Sequence, residues 1–279
     1  MNTRRPSAAT TRVLVAFVVA AALLLGACTT PDGAPRDARD GRELREVPTT
    51  SDQTSADRRA QTRMELAAAY FGRGQMEVAL DEVKLALVAR PELPEAFNLR
   101  GLIYGALQQP ALAEESFRRA LQLAPRDGDV MHNYGWFLCQ QGRYPEAVQQ
   151  FRNAMAQPGY REAARSLLTL GICLARNGQL IEAEGALTRS YEMDPSNGST
   201  AMNLSEVLFK RGELERARFY VRRINAVPEV SNAQSLWLAA RIEHRLGNAA
   251  GAQQLGRQVV ERFPQSREAL MFERGRFDD

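Results

Sequence analysis

Six alanines recur along this chain at nearly constant intervals. Ala79, Ala113, Ala147, Ala183, Ala217 and Ala252 are spaced 34, 34, 36, 34 and 35 residues apart. Twelve residues before each stands a small residue: Ala67, Gly101, Gly135, Gly171, Ser205 or Ala240. Five residues before five of the six stands a glycine: Gly74, Gly142, Gly178, Gly212 or Gly247. A proline follows each alanine by eleven or twelve residues, at Pro91, Pro125, Pro158, Pro195, Pro228 and Pro264. A fixed period of this length requires stacked copies of one supersecondary unit.

The marks within a period describe two helices. Small residues let the helices approach closely. The glycine closes the first helix, where a left-handed backbone residue is needed. The proline ends the second, because it cannot continue the hydrogen-bond ladder. Between the marks, apolar residues recur at helical spacing, as at Leu112, Phe117, Ala120 and Leu121. No two-residue alternation of strand type competes, so the sequence predicts an all-α chain.

This pattern resembles the tetratricopeptide repeat. Phe97, Gly101, Tyr104, Ala113, Phe117, Ala120 and Pro125 carry the likeness in the second unit. Tyr134, Gly135, Leu138, Ala147, Phe151, Ala154 and Pro158 carry it in the third. The fifth and sixth units depart from the pattern, with Ile224 where alanine is usual and Glu243 and Gly256 where large residues are usual. The resemblance implies a superhelix of six units, at 60–93, 94–127, 128–163, 164–197, 198–232 and 233–266. A capping helix over 267–275 would close the last face, since terminal repeats need a polar cover.

Residues 1–27 read as a targeting segment. Arg4, Arg5 and Arg12 precede the uncharged run Val13 to Leu25, which reaches 15 residues with Gly26 and Ala27. A membrane-spanning helix needs about 20, so the segment reads as a signal peptide, with an uncleaved anchor as the alternative. Leu25-Gly26-Ala27-Cys28 resembles the lipobox of bacterial lipoproteins. That implies diacylglycerol on the Cys28 sulfur, cleavage before Cys28 and acylation (palmitate) of the new amine. Several acyl chains make a stable anchor. Thr29, in place of an aspartate, implies the periplasmic face of the outer membrane. Residues 28–59 hold no aromatic side chain and are rich in Asp, Arg, Thr and Pro, so they are expected to form a flexible tether.

Charge narrows the functions. The formal net charge of +3 lies wholly in the first 27 residues, leaving 33 basic and 33 acidic residues from Cys28 onward. Nothing there attracts nucleic acid. His132 and His244 are too few for a metal site, and no nucleophile–base set or phosphate loop appears. No cofactor, small-molecule substrate or enzymatic reaction is expected. The acidic pairs Glu114-Glu115, Glu182-Glu184 and Glu213-Glu215 read as solvated faces of second helices. Cys139 and Cys173 lie on the first helices of adjacent units. Their spacing permits a disulfide, and two buried thiols are the alternative.

In tetratricopeptide proteins certain first-helix positions face a concave groove. Carried over, these are Met64, Phe71, Asn98, Leu102, His132, Trp136, Gln140, Leu168, Ile172, Arg176, Met202 and Phe209. Glu206 and Lys210 join them in the fifth unit. Trp136 is the sharpest candidate for a binding hot spot.

Together, the signal segment, lipobox, tether and repeats resemble the type IV pilus biogenesis lipoprotein family called PilF or PilW. The motifs that carry this are His132-Asn133-Tyr134-Gly135-Trp136-Phe137-Leu138-Cys139 and Leu170-Gly171-Ile172-Cys173, with Phe219-Tyr220. The resemblance implies a pilotin-like adaptor. Its partner would be the type IV pilus secretin, which it would help to localise in the outer membrane and assemble into multimers. Two other readings stay open: a lipoprotein scaffold for another envelope machine, such as a Tad-type pilus, a protease adaptor or a cell-wall complex, and an enzyme whose site the sequence hides, which a pocket of perturbed acids would reveal.

Overall fold

Each unit starts and stops on recognisable chemistry. The computed structural model describes residues 49–277, and the signal segment and Cys28 lie outside them. Among these residues there are thirteen helices and no strand. The first unit pairs α1 (Thr50–Gly72) with α2 (Met76–Ala89), and the second α3 (Pro94–Ala106) with α4 (Pro110–Leu123). The third pairs α5 (Gly128–Gln140) with α6 (Tyr144–Met155), and the fourth α7 (Ala163–Arg176) with α8 (Leu180–Met193). The fifth pairs α9 (Gly198–Lys210) with α10 (Leu214–Asn225), and the sixth α11 (Ala233–Arg245) with α12 (Ala249–Arg262). The short α13 (Arg267–Glu273) follows.

Side-chain caps open several of these helices. Asp127, Asn197 and Asn232 accept hydrogen bonds from the first free backbone N–H groups of α5, α9 and α11. The turns between paired helices need a left-handed residue. Gly74, Gly142, Gly178, Gly212 and Gly247 supply it, with φ between 73° and 80°. The second unit lacks the glycine, and Gln108 takes the same conformation at φ 57°. That is a steric penalty for a residue with a Cβ.

The small residues have the role expected of them. A Cβ on Gly101 would lie 2.8 Å from the fully buried Phe117 ring, and one on Gly135 would lie 3.2 Å from Phe151. A Cβ on Gly171 would overlap Leu187. Ser205 fits the same crossing by donating its hydroxyl to the Ala217 carbonyl at 2.8 Å. The sixth unit solves its missing large residue differently. Gly256 leaves a hollow in α12, and the Phe272 ring of α13 sits against it. The cap therefore completes the last core layer, joined by Phe277, which lies tilted against Trp237 and stacked on His244.

Successive first helices touch one another: α1 with α3, α3 with α5, and so on to α9 with α11. Each second helix packs on its own partner and on the next first helix, while successive second helices stay apart. The closer spacing of the first helices makes theirs the concave wall.

Two expectations change. α1 begins at Thr50, so residues 50–59, assigned by composition to the tether, are helical. Thr49 and Asp52 form a reciprocal capping box, and Asp57 reaches Arg90 at 3.2 Å, so local capping and one ion pair extend a helix anchored further on by Ala60 and Ala67. The acidic pairs are not all solvated. Glu114 accepts from Arg143 at 2.8 Å and from the Tyr134 hydroxyl at 2.9 Å, tying unit two to unit three. Glu184 pairs with Arg211 and Arg216 and ties unit four to unit five. The Arg143 hydrogen bond, with smaller help from Tyr134 and Arg118, outweighs desolvation and holds the Glu114 carboxyl below its usual range.

Candidate functional site: the concave face

The last turns of the first helices build the site. Phe71 of α1, Leu102 of α3, Trp136 and Gln140 of α5 and Arg176 of α7 surround one cavity of about 400 Å³. Gly101, Gly105 and Ala106 form part of its wall, and the lack of side-chain bulk there leaves the space open. Asn133 closes one side and donates to Asn98 Oδ1 at 3.2 Å, joining units two and three. Trp136 is half-buried, with the Arg176 guanidinium 5.1 Å from its ring centroid. A cation held over an indole face restricts both side chains before any partner arrives. Arg176 is the one ionisable group among the described residues in this lining. The surface therefore suits apolar and aromatic contact with a few amide hydrogen bonds.

A second concave cavity, of about 340 Å³, lies further along. Met202 and Glu206 of α9 line it with Trp237 and Arg241 of α11 and Arg267 of α13.

The remaining expected groove residues divide. Met64 is half-buried and packs on the core of units one and two. Leu168 is half-buried against the main core, and Ile172 is half-buried on the same wall; neither lines the two cavities. Phe209 is only 5% exposed, lying under the guanidinium groups of Arg241 and Arg245, at 4.8 and 5.0 Å.

His132 does not face the groove. It is 3% exposed, and its Nδ1 lies 2.8 Å from the Ser166 hydroxyl, which is also 2.8 Å from the Tyr160 hydroxyl. The third repeat is two residues longer than 34. Its extra turn brings Tyr160 over Gly128 and Ser166, where a Cβ on Gly128 would meet the ring. That closure covers His132. Burial, and then the charge of Arg165, lowers its pKa from 6.5 to about 4. The same two units are joined by a Cys139–Cys173 disulfide, with Cα atoms 5.8 Å apart.

Sequence reasoning missed the buried ion cluster at Glu243. This residue is 3% exposed and accepts from Arg222 at 2.7 Å and Asn248 at 2.8 Å. Burial pushes its carboxyl up, but the Asn248 and Arg222 hydrogen bonds and the Arg222 and Arg218 charges outweigh that, and the net shift is down. Its departure from the repeat pattern was the available signal. Among the described residues no cluster of His, Cys, Asp and Glu could hold a metal ion, and no helix is long and apolar enough to cross a membrane.

Known proteins share this architecture. Residues 94–127, 127–196 and 168–229 each match a tetratricopeptide repeat family. The type IV pilus assembly protein PilF of Pseudomonas aeruginosa is 29% identical over 210 residues, 75% of this chain and 83% of that protein. The crystal structure of PilW, a widely conserved type IV pilus biogenesis factor, superposes with a TM-score of 0.71. It is 32% identical, over 76% of this chain and 97% of that one. The structure of Pseudomonas aeruginosa PilF gives a TM-score of 0.68 at 27% identity, over 80% of this chain and all of that one. With nearly all of the PilW chain matched at 32% identity, this protein belongs to the PilF/PilW family of tetratricopeptide type IV pilus biogenesis proteins.

Proposed function

We propose that this protein is a lipid-anchored adaptor at the periplasmic face of the outer membrane. It binds the type IV pilus secretin and promotes its localisation and multimer assembly. No reaction is catalysed. The observation that carries the reading is the cavity around Trp136, open on the concave wall and lined by Phe71, Leu102 and Gln140 from successive units. An extended secretin segment laid along this wall would bury apolar side chains there. The amides of Asn133 and Gln140 would meet backbone groups that water otherwise satisfies. The lipobox at Leu25–Cys28 supports the address, because acyl chains on Cys28 would hold the array at the membrane where the secretin assembles. Family membership supports the pilus as the machine served.

Deleting the gene and blotting outer membranes for heat-resistant secretin multimers tests this. Loss of multimers, restored by the intact gene and not by a Cys28→Ala variant, is the expected result. Normal multimers in the deletion strain would reject the secretin role and favour a scaffold for another envelope machine.

A further inference from the structure

The first helices place one register position in a row along the concave wall. Seven residues before each repeat alanine stand Gly72, Ala106, Gln140, Arg176, Lys210 and Arg245. Each is the last residue of its helix. The row is uncharged through units one to three and cationic through units four to six. The cations also sit at helix C-termini, where the backbone dipoles favour positive charge.

These cations are held ready. Arg176 lies over Trp136 of the preceding unit, at 5.1 Å, and Arg245 over Phe209 of its preceding unit, at 5.0 Å. Neither makes an ion pair among the described residues. Lys210 pairs with Glu206 at 2.9 Å, but both side chains are about half-exposed, at 51% and 46%. Such a screened pair opens at little cost. The opposing acids on this part of the wall are Glu206 and Glu268, while Arg241 and Arg267 add positive charge beside them.

We propose that Arg176, Lys210 and Arg245 form a binding strip for an acidic segment of a partner polypeptide, continuous with the apolar cavity at Trp136. Packed helices stand about 8–10 Å apart, and a chain extended in the polyproline-II form advances about 3.1 Å per residue with three residues per turn, so every third side chain faces the same wall. Each step from one cation to the next therefore spans about three residues of the partner. The strip selects an extended chain with a carboxylate at about every third position, followed or preceded by apolar side chains that enter the Trp136 cavity. This rests on the reading of the concave face as a partner groove, and it adds the chemistry of what the far half of the groove accepts.

Fluorescence anisotropy with the full chain and two dye-labelled synthetic peptides tests the strip. Both peptides carry the same apolar anchor. One has Asp or Glu at every third residue, and the other has Asn or Gln there. The acidic peptide should bind about tenfold more tightly at low salt, and the advantage should shrink as salt is raised. The triple variant Arg176→Gln/Lys210→Gln/Arg245→Gln should lose that advantage with an unchanged circular dichroism spectrum. Arg176→Lys/Arg245→Lys should keep most of it, and Glu206→Gln should strengthen acidic-peptide binding by freeing Lys210. Equal binding of the two peptides, or full binding by the triple variant, overturns the proposal. So does capture of phosphatidylglycerol vesicles through these three residues with no acidic-peptide preference, which would make the occupant a lipid surface. Secretin capture in the absence of any acidic-peptide preference would sink the strip alone. Acidic-peptide binding in a protein that ignores secretin would sink only the choice of partner.

Discussion

His132 should make this array acid-sensitive in a calculable way. Its ring is 3% exposed, set edge-on to Phe151 at 5.5 Å and bonded to Ser166, with a pKa lowered from 6.5 to about 4. The folded state therefore holds the neutral ring, while the unfolded chain binds a proton as soon as pH falls below about 6.5. Stability is complete above that value and is lost progressively as pH falls towards 4. Between pH 7.5 and pH 5.0 the loss from this group alone is about 2 kcal/mol, at about 1.4 kcal/mol per pKa unit. For a domain of this size that corresponds to roughly 4–8 °C in Tm. The assay is thermal unfolding at both pH values for the wild type and His132→Asn, which keeps a polar group towards Ser166 but does not titrate. Carboxylates such as Glu114 and Glu243 titrate in both proteins and cancel in the comparison. The wild type should lose about 2 kcal/mol more than the variant on acidification. An identical pH response in the two proteins would refute the assignment of a buried neutral imidazole.

Other consequences concern the turns, the cap and the cross-link. Gln108→Gly relieves a left-handed backbone at φ 57° and should raise stability by about 0.5–1 kcal/mol in urea unfolding. Gly142→Ala, at φ 73°, should lower it by about 1 kcal/mol. Phe272→Ala removes the ring that fills the hollow at Gly256 and should cost about 2–3 kcal/mol, with hydrogen exchange rising first in α12 and α13. Replacing Cys139 and Cys173 with serine opens a 34-residue loop and should cost about 3–4 kcal/mol, read as a fall in the unfolding midpoint under non-reducing conditions.

The repeat made most of the fold legible. Helix starts at Pro94, Gly128, Gly198 and Ala233 fall where the expected units begin, because a first-turn proline and the caps Asp127, Asn197 and Asn232 act on the backbone locally. What escaped depends on neighbouring units. His132 shares the register of Asn98 and Met202 but is covered by Tyr160, since two extra residues in one repeat redirect a turn. Glu114 and Glu184 look solvated on an isolated helix and become clamps only when Arg143 and Arg211 of the following units are in place. Phe272 reads as an ordinary capping residue until Gly256 is seen to be hollow. Of the residues the register assigns to the groove, Phe71, Leu102, Trp136, Gln140 and Arg176 line one cavity. The register did not reveal that Phe209 lies beneath two arginines, because long cationic side chains fold back over aromatic faces in ways spacing does not encode.

The central claim is that the cavity at Trp136 is the grip on the secretin. The direct measurement is the Kd of purified secretin for the full-length protein and for its Trp136→Ala variant, with matched circular dichroism spectra. Removing a half-buried tryptophan at the centre of such a contact costs about 2 kcal/mol or more, so affinity should fall about 30-fold. Tight secretin binding that is indifferent to Trp136→Ala would contradict the account.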